Sequence, residues 1–325
     1  MVREFSVDPK LVVTWAKDIN CRRFYEGEFR LGQGRRISNY PSKQDKWFRL
    51  IQEAFNKKFG ESGADIPRHK MKELLIRWRK GGIPDRRRGW TSPVVDHPHS
   101  PYDENQTWLE NARQEKDRRS FRAIISTTNP TKDKRVLLDA GERPEYSDRL
   151  WETETSKSVE RKCDKLAKAV TGFLRISTHV IFVDPHMKLI NRYQDALEAY
   201  FRVFKENEHC GPKLERVELV FRDSKEGQTK AEWEDYVPSL MENLPPGTSL
   251  TVTCYRGRWI SESEQIFHNR WILSEQGGIG FKFGLDVGDG MESMNLIEPP
   301  EWHELWNAYQ KPPPNLSFVV EDTKR

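Results

Sequence analysis

Long apolar runs are missing from this 325-residue chain. A membrane-spanning helix needs roughly 18 to 20 consecutive apolar residues, so none is expected. The opening stretch MVREFSVDPKLVVTW has no long apolar segment and no small-residue cleavage site, and a signal peptide is not expected either. Cysteine is scarce. Cys21, Cys163, Cys210 and Cys254 are widely separated and form no C-x-x-C pair. That argues against a disulfide framework and against structural zinc, and makes a reducing cytoplasm the natural compartment. A large excess of one charge is also absent. The net charge is only +4, so the total does not demand a nucleic-acid partner, and local charge is the better guide. No internal repeat or low-complexity tract is found. What the chain does have is aromatic residues, 11% of the total, with 11 tryptophans. That content supports a packed core rather than disorder.

The pattern along the chain suggests two parts. Residues 1–150 read as mainly helical and partly basic. Trp47, Phe48, Leu50, Ile51, Ala54 and Phe55 form one apolar helical face, with Ser42 as a candidate N-cap and Gly60 as a stop. Met71, Leu74, Leu75 and Trp78 form a second, followed by a Pro- and charge-rich loop. A helix near Trp108 and a strand over 121–126 follow. Residues 127–155 are polar and turn-rich, which places a boundary near 150. Residues 151–325 alternate more sharply. Val159, Cys163, Leu166, Val170 and Phe173 make a helical stripe, and HVIFVDP is a buried strand stopped by proline. Tyr193, Leu197, Tyr200, Phe201 and Phe204 line a helix. RVELVF is a strand, a helix is kinked or restarted at Pro238, and SLTVTCYR is another strand. The fold class is α/β, with a helical N-terminal region and a C-terminal α/β domain on a mostly parallel mixed sheet.

One stretch carries chemistry: FHNRWILSEQGGIGFKFGLD, residues 267–286. It holds His268, Asn269 and Arg270, then Glu275, a glycine turn, and a Gly-Leu-Asp ending at Asp286. On a strand, His268 and Arg270 share one face and Asn269 takes the other. An imidazole and a guanidinium on one face can address one phosphate, and the arginine fork suits it. This stretch, late in an alternating β/α run, resembles the phospholipase D superfamily. The superfamily signature is His-x-Lys, four residues, then Asp. Here it reads His268-x-Arg270, four residues, then Glu275, with both partners altered. The tail GGIGFKFGLD is similar to the phospholipase-D-like domain of certain MIT-domain proteins, which is thought to bind phosphoinositide rather than hydrolyse it. The layout as a whole also resembles bacterial proteins, some of them linked to anti-phage defence, an association that no residue here carries.

The resemblance implies a phosphodiester ligand, most naturally nucleic acid, since the apolar stretch a lipase needs is missing. It implies phosphodiesterase chemistry with His268 as nucleophile, Arg270 stabilising the phosphoryl charge and Glu275 orienting an imidazole or neutralising Arg270. Two histidines are required in that chemistry. A homodimer or a related partner chain would supply the second; no cofactor or metal is implied. His186 and Lys188, in DPHMK after a strand, are the internal alternative, with Asp184 beside them, although no acid follows Lys188 at the right spacing. Two function classes remain open: a metal-independent nuclease, and a non-catalytic module binding phosphate, nucleic acid or a partner protein. Plainer roles stand beside each residue. His268 and Arg270 fit a surface strand with a salt-bridged arginine, His186 fits a loop, and Asp184 fits a helix cap. DHPHS (96–100) has a His-x-His look without further ligands nearby. IRWRKGGIPDRRRGW (76–90) interleaves Arg77, Arg79, Lys80, Arg86, Arg87 and Arg88 with tryptophan. That mixture suits nucleic acid, and equally a solvated face with structural tryptophans.

Overall fold

The structure, a computed structural model, describes all residues except 30–31, 43–45, 61–64, 80–91, 98–100, 120, 139–147, 210, 225–226, 257–269, 312–314 and 325. The chain divides into two compact units, Val2–Glu154 and Thr155–Arg325. The division falls close to the boundary expected near 150.

The first unit runs β1 (Arg3–Val7), α1 (Pro9–Lys17), α2 (Ile19–Glu28), β2 (Arg35–Ser38), α3 (Lys46–Phe59), α4 (Asp65–Arg79), β3 (Val94–Val95), α5 (Trp108–Arg118), β4 (Ala123–Ser126) and β5 (Val136–Leu138). Its five strands form one sheet in the order β3-β2-β1-β4-β5, and every pairing is parallel. The region read from sequence as mainly helical is therefore itself α/β. The strand β1 escaped notice because it is five residues long and carries a single β-branched side chain. Phe5 and Val7 enter a core with Trp15, Tyr25, Phe29, Trp47 and Trp151. On the other face, Glu4 meets His97 at 2.7 Å, and Ser6 and Ser38 are fully buried. Buried Arg119 donates to Ser38 Oγ at 2.8 Å and lies 2.6 Å from Glu115. Beyond the exposed Arg3, both faces of β1 are thus largely covered, as those of a central strand are. The two expected helices are present as α3 and α4. Gly60, at φ 72°, ends α3, and the left-handed conformation there suits glycine.

The second unit runs β6 (Ser156–Glu160), α6 (Cys163–Leu174), β7 (His179–Val183), α7 (Asn191–Glu206), β8 (Arg216–Arg222), α8 (Lys230–Met241), β9 (Ser249–Tyr255), β10 (Arg270–Ser274), β11 (Gly277–Phe281), β12 (Met291–Leu296), α9 (Pro299–Tyr309) and β13 (Leu316–Thr323). The eight strands form a mixed sheet in the order β13-β9-β8-β7-β10-β11-β12-β6. Parallel pairing is confined to β7, β8 and β9; the other strands pair antiparallel. The β7 run HVIFV is buried after its first residue, as a central strand covered on both faces requires. The α7 stripe of Tyr193, Leu197, Tyr200, Phe201 and Phe204 is wholly buried. Each such side chain contributes roughly 1.5 to 3 kcal/mol by leaving water. A capping box between Thr229 and Glu232 starts α8, which then runs through Pro238 as one helix rather than restarting there. Val159 lies on β6, and α6 begins only at Cys163. No helix among the described residues is long and apolar enough to cross a membrane.

Candidate functional site

Chemistry-bearing side chains of the second unit gather where β7 ends and β10 begins. β10 runs antiparallel to β7 with Trp271 opposite Val183. Arg270, one residue earlier, therefore lies beside Asp184, the residue after β7. The Asp184 carboxylate has no solvent exposure. Its Oδ1 accepts from His186 N at 2.9 Å. Its Oδ2 accepts from Leu285 N at 3.1 Å and Tyr193 Oη at 3.4 Å. Arg270 Nε lies 3.7 Å from Oδ1, and Arg270 Nη1 donates to Lys282 O at 3.4 Å. Burial pushes the Asp184 carboxyl up to about 6, against the pull of the two amides and of Arg270.

A loop between β11 and β12 closes this site. Buried Asp286 receives Arg161 Nη2 at 2.5 Å and Arg192 Nε at 3.0 Å. Glu292, fully buried, accepts from the backbone amides of Lys282 (2.7 Å), Phe283 (3.0 Å), Gly284 (3.1 Å) and Ser293 (3.1 Å). Arg161 Nε is 3.9 Å from Glu292. The backbone adds Gly288 N to Arg161 O, Val287 N to Arg192 O and Arg161 N to Gly290 O, at 2.9, 3.1 and 3.1 Å. Gly284 is needed for space: a Cβ there would stand 2.4 Å from Asp286 Oδ1. Three buried carboxylates thus face three arginines, and burial without such pairing would be costly.

The sequence-read residues distribute as follows. Asp184, Arg270 and Asp286 come together. Glu275 does not join them. It sits in the turn after β10, roughly 17 Å along the strand from Arg270 at the usual rise. There its carboxylate accepts from Thr178 N at 2.7 Å and His179 N at 3.2 Å, and burial raises its pKa. It holds the start of β7 and takes no part in orienting an imidazole at Arg270. His186 and Lys188 lie on the β7–α7 connection, His186 exposed and Lys188 half-buried. His268 and Asn269 lie outside the described residues, as do Lys80, Arg86, Arg87 and Arg88. Arg77 and Arg79 fall on α4. His97 of the His-x-His stretch pairs with Glu4. Arg161, Arg192 and Glu292 were missed from sequence. The one available signal was the Gly- and Asp-rich run GLDVGDG, which marks a loop needing outside support.

No family model matches the chain, and no curated protein matches it.

Proposed function

We propose that the second unit engages a phosphodiester, most naturally a nucleic acid, and does so as a binding module in which Arg270 is the anion contact. The observation carrying this reading is the separation of Arg270 from Glu275 to opposite ends of β10. Arg270 stands over a buried carboxylate that orients its guanidinium, and Glu275 is committed to two backbone amides. A guanidinium held in this way is a preorganised fork for phosphate oxygens. The altered His-x-Arg motif keeps its cation while its acid serves the fold.

One observation favours a second, enzymatic reading. The Asp184 carboxyl, pushed up to about 6, is a group able to exchange a proton near neutral pH beside the same arginine. In that reading His268, two residues before Arg270 in the chain, is the nucleophile. A second copy of the chain supplies the other imidazole, and the reaction takes place in the cytosol.

The test incubates the full chain with end-labelled single-stranded and duplex oligonucleotides in EDTA, for wild type and His268→Ala. Bound but uncut strands are the expected result. Cleavage that persists in EDTA and disappears in His268→Ala overturns the binding-module reading in favour of the enzyme.

A further inference from the structure

Phe283 is placed oddly for a large apolar residue. It is 49% exposed, yet its backbone belongs to a loop held at several points by buried carboxylates. Its own amide donates to Glu292, as do those of its neighbours Lys282 and Gly284. The next residue, Leu285, donates to Asp184, and Asp286 is clamped by Arg161 and Arg192. Buried Glu292 and Asp184 and the mostly buried Arg161, with the exposed Arg192, thus hold a short turn in one shape, and the product is an aromatic ring presented to solvent. The Lys282 ammonium lies 5.2 Å from the Phe283 ring centroid, and Arg192, whose side chain is 56% exposed, flanks the loop. The Lys282 carbonyl accepts from Arg270 Nη1, so the Phe283 backbone follows directly on a residue bonded to the proposed anion contact.

An exposed ring with restricted backbone freedom loses little entropy when covered. Beside a guanidinium that takes phosphate, it matches the way unpaired bases are gripped: the cation takes the backbone and the ring takes the π-face of a base. A paired base has both faces covered within the duplex and offers none to Phe283. We infer that the site takes single-stranded nucleic acid, with Phe283 as a stacking platform for one unpaired base next to the phosphodiester held at Arg270. This rests on the phosphodiester reading above.

The experiment measures binding of the full chain, by fluorescence anisotropy, to three labelled probes: a short oligo(dT), an abasic deoxyribose-phosphate strand of equal length, and a duplex of that length. Phe283→Ala is expected to weaken oligo(dT) binding on the order of 5- to 100-fold and to leave the abasic strand unchanged. Phe283→Trp is expected to hold or tighten oligo(dT) binding. Phe283 is exposed, so unchanged thermal unfolding of both variants is expected. Tighter binding of duplex than of oligo(dT) overturns the inference. So does a Phe283→Ala effect that is absent, or equal on oligo(dT) and the abasic strand. Arg270→Ala separates the two levels. If it weakens both single strands while Phe283→Ala changes neither, only the stacking role fails. If wild type binds neither strand, or Arg270→Ala changes nothing, the phosphodiester reading fails with it.

Discussion

Asp184→Asn removes a charge from a position with no solvent exposure, and its consequence follows from the structure. Burial raises the Asp184 carboxyl from 3.8 to about 6. Two units of displacement at about 1.4 kcal/mol each mean that ionising this group costs the fold on the order of 3 kcal/mol. Because the folded-state value is raised, the stability it contributes is complete below pH 4 and is lost as pH rises through about 6. Asparagine cannot ionise and escapes that loss. It does give up one acceptor among the bonds to His186 N, Leu285 N and Tyr193 Oη, at about 1 kcal/mol at every pH. The variant is then less stable than wild type by about 1 kcal/mol at pH 4 and more stable by about 2 kcal/mol at pH 7.5. Urea unfolding followed by tryptophan fluorescence, across a pH series for both proteins, reads the difference. Other groups with raised values, such as Glu275 and Asp8, cancel in the comparison. A difference that stays flat with pH would refute the reasoning.

Glu292→Ala leaves the amides of Lys282, Phe283, Gly284 and Ser293 without their acceptor and costs about 3 to 5 kcal/mol, read as a fall in unfolding free energy together with fast amide exchange across 282–290. In the first unit, the imidazole of His97 beside Glu4 pulls its carboxyl down to about 2 despite burial. The stability from that pair, about 3 kcal/mol, is present above pH 4.5 and is lost as pH falls toward 2, and Glu4→Gln flattens this acid limb in urea titrations. Protonation of Asp184 removes a counter-charge from beside Arg270, so affinity for dimethyl phosphate, whose own charge is constant in this range, rises as pH falls from 7 to 5, and isothermal titration finds that rise missing in Asp184→Asn.

Much of the second unit was legible because its elements announce themselves by side-chain type. HVIFV and RVELVF are β-branched runs with no room for a helical reading, and the Tyr193–Phe204 stripe has clean helical spacing. The sheet of the first unit was less so: β4 falls within the strand read over 121–126, but β1, β2 and β3 were missed, each for a different reason. β1 is five residues long with one β-branched side chain, and β3 is two residues long. β2 opens with two arginines that are buried: Arg35 lies 4.6 Å over the Trp151 ring and 2.9 Å from Glu28. Charged residues at strand starts argue for surface until such partners are known, and the partners lie far away in sequence. The same limit governed the site. Asp184, Arg270 and Asp286 were visible as chemistry-bearing residues next to strand ends. Spacing alone grouped Glu275 with Arg270, although a five-residue strand carries its two ends far apart. Arg161 and Glu292 carry no motif, and only the pairing of β12 with β6 and β11 brings them to the same loop.

The central claim is that Arg270, held over Asp184, is the contact for a phosphate group. Titration of a dinucleotide monophosphate into wild type, Arg270→Lys and Arg270→Ala tests it without requiring catalysis or a long strand. The account predicts that Arg270→Ala loses on the order of tenfold or more in affinity, as removal of a charge-assisted hydrogen bond should cause. Arg270→Lys falls between, keeping the charge but not the fork. Equal affinity in all three proteins, with their folds intact, would contradict it.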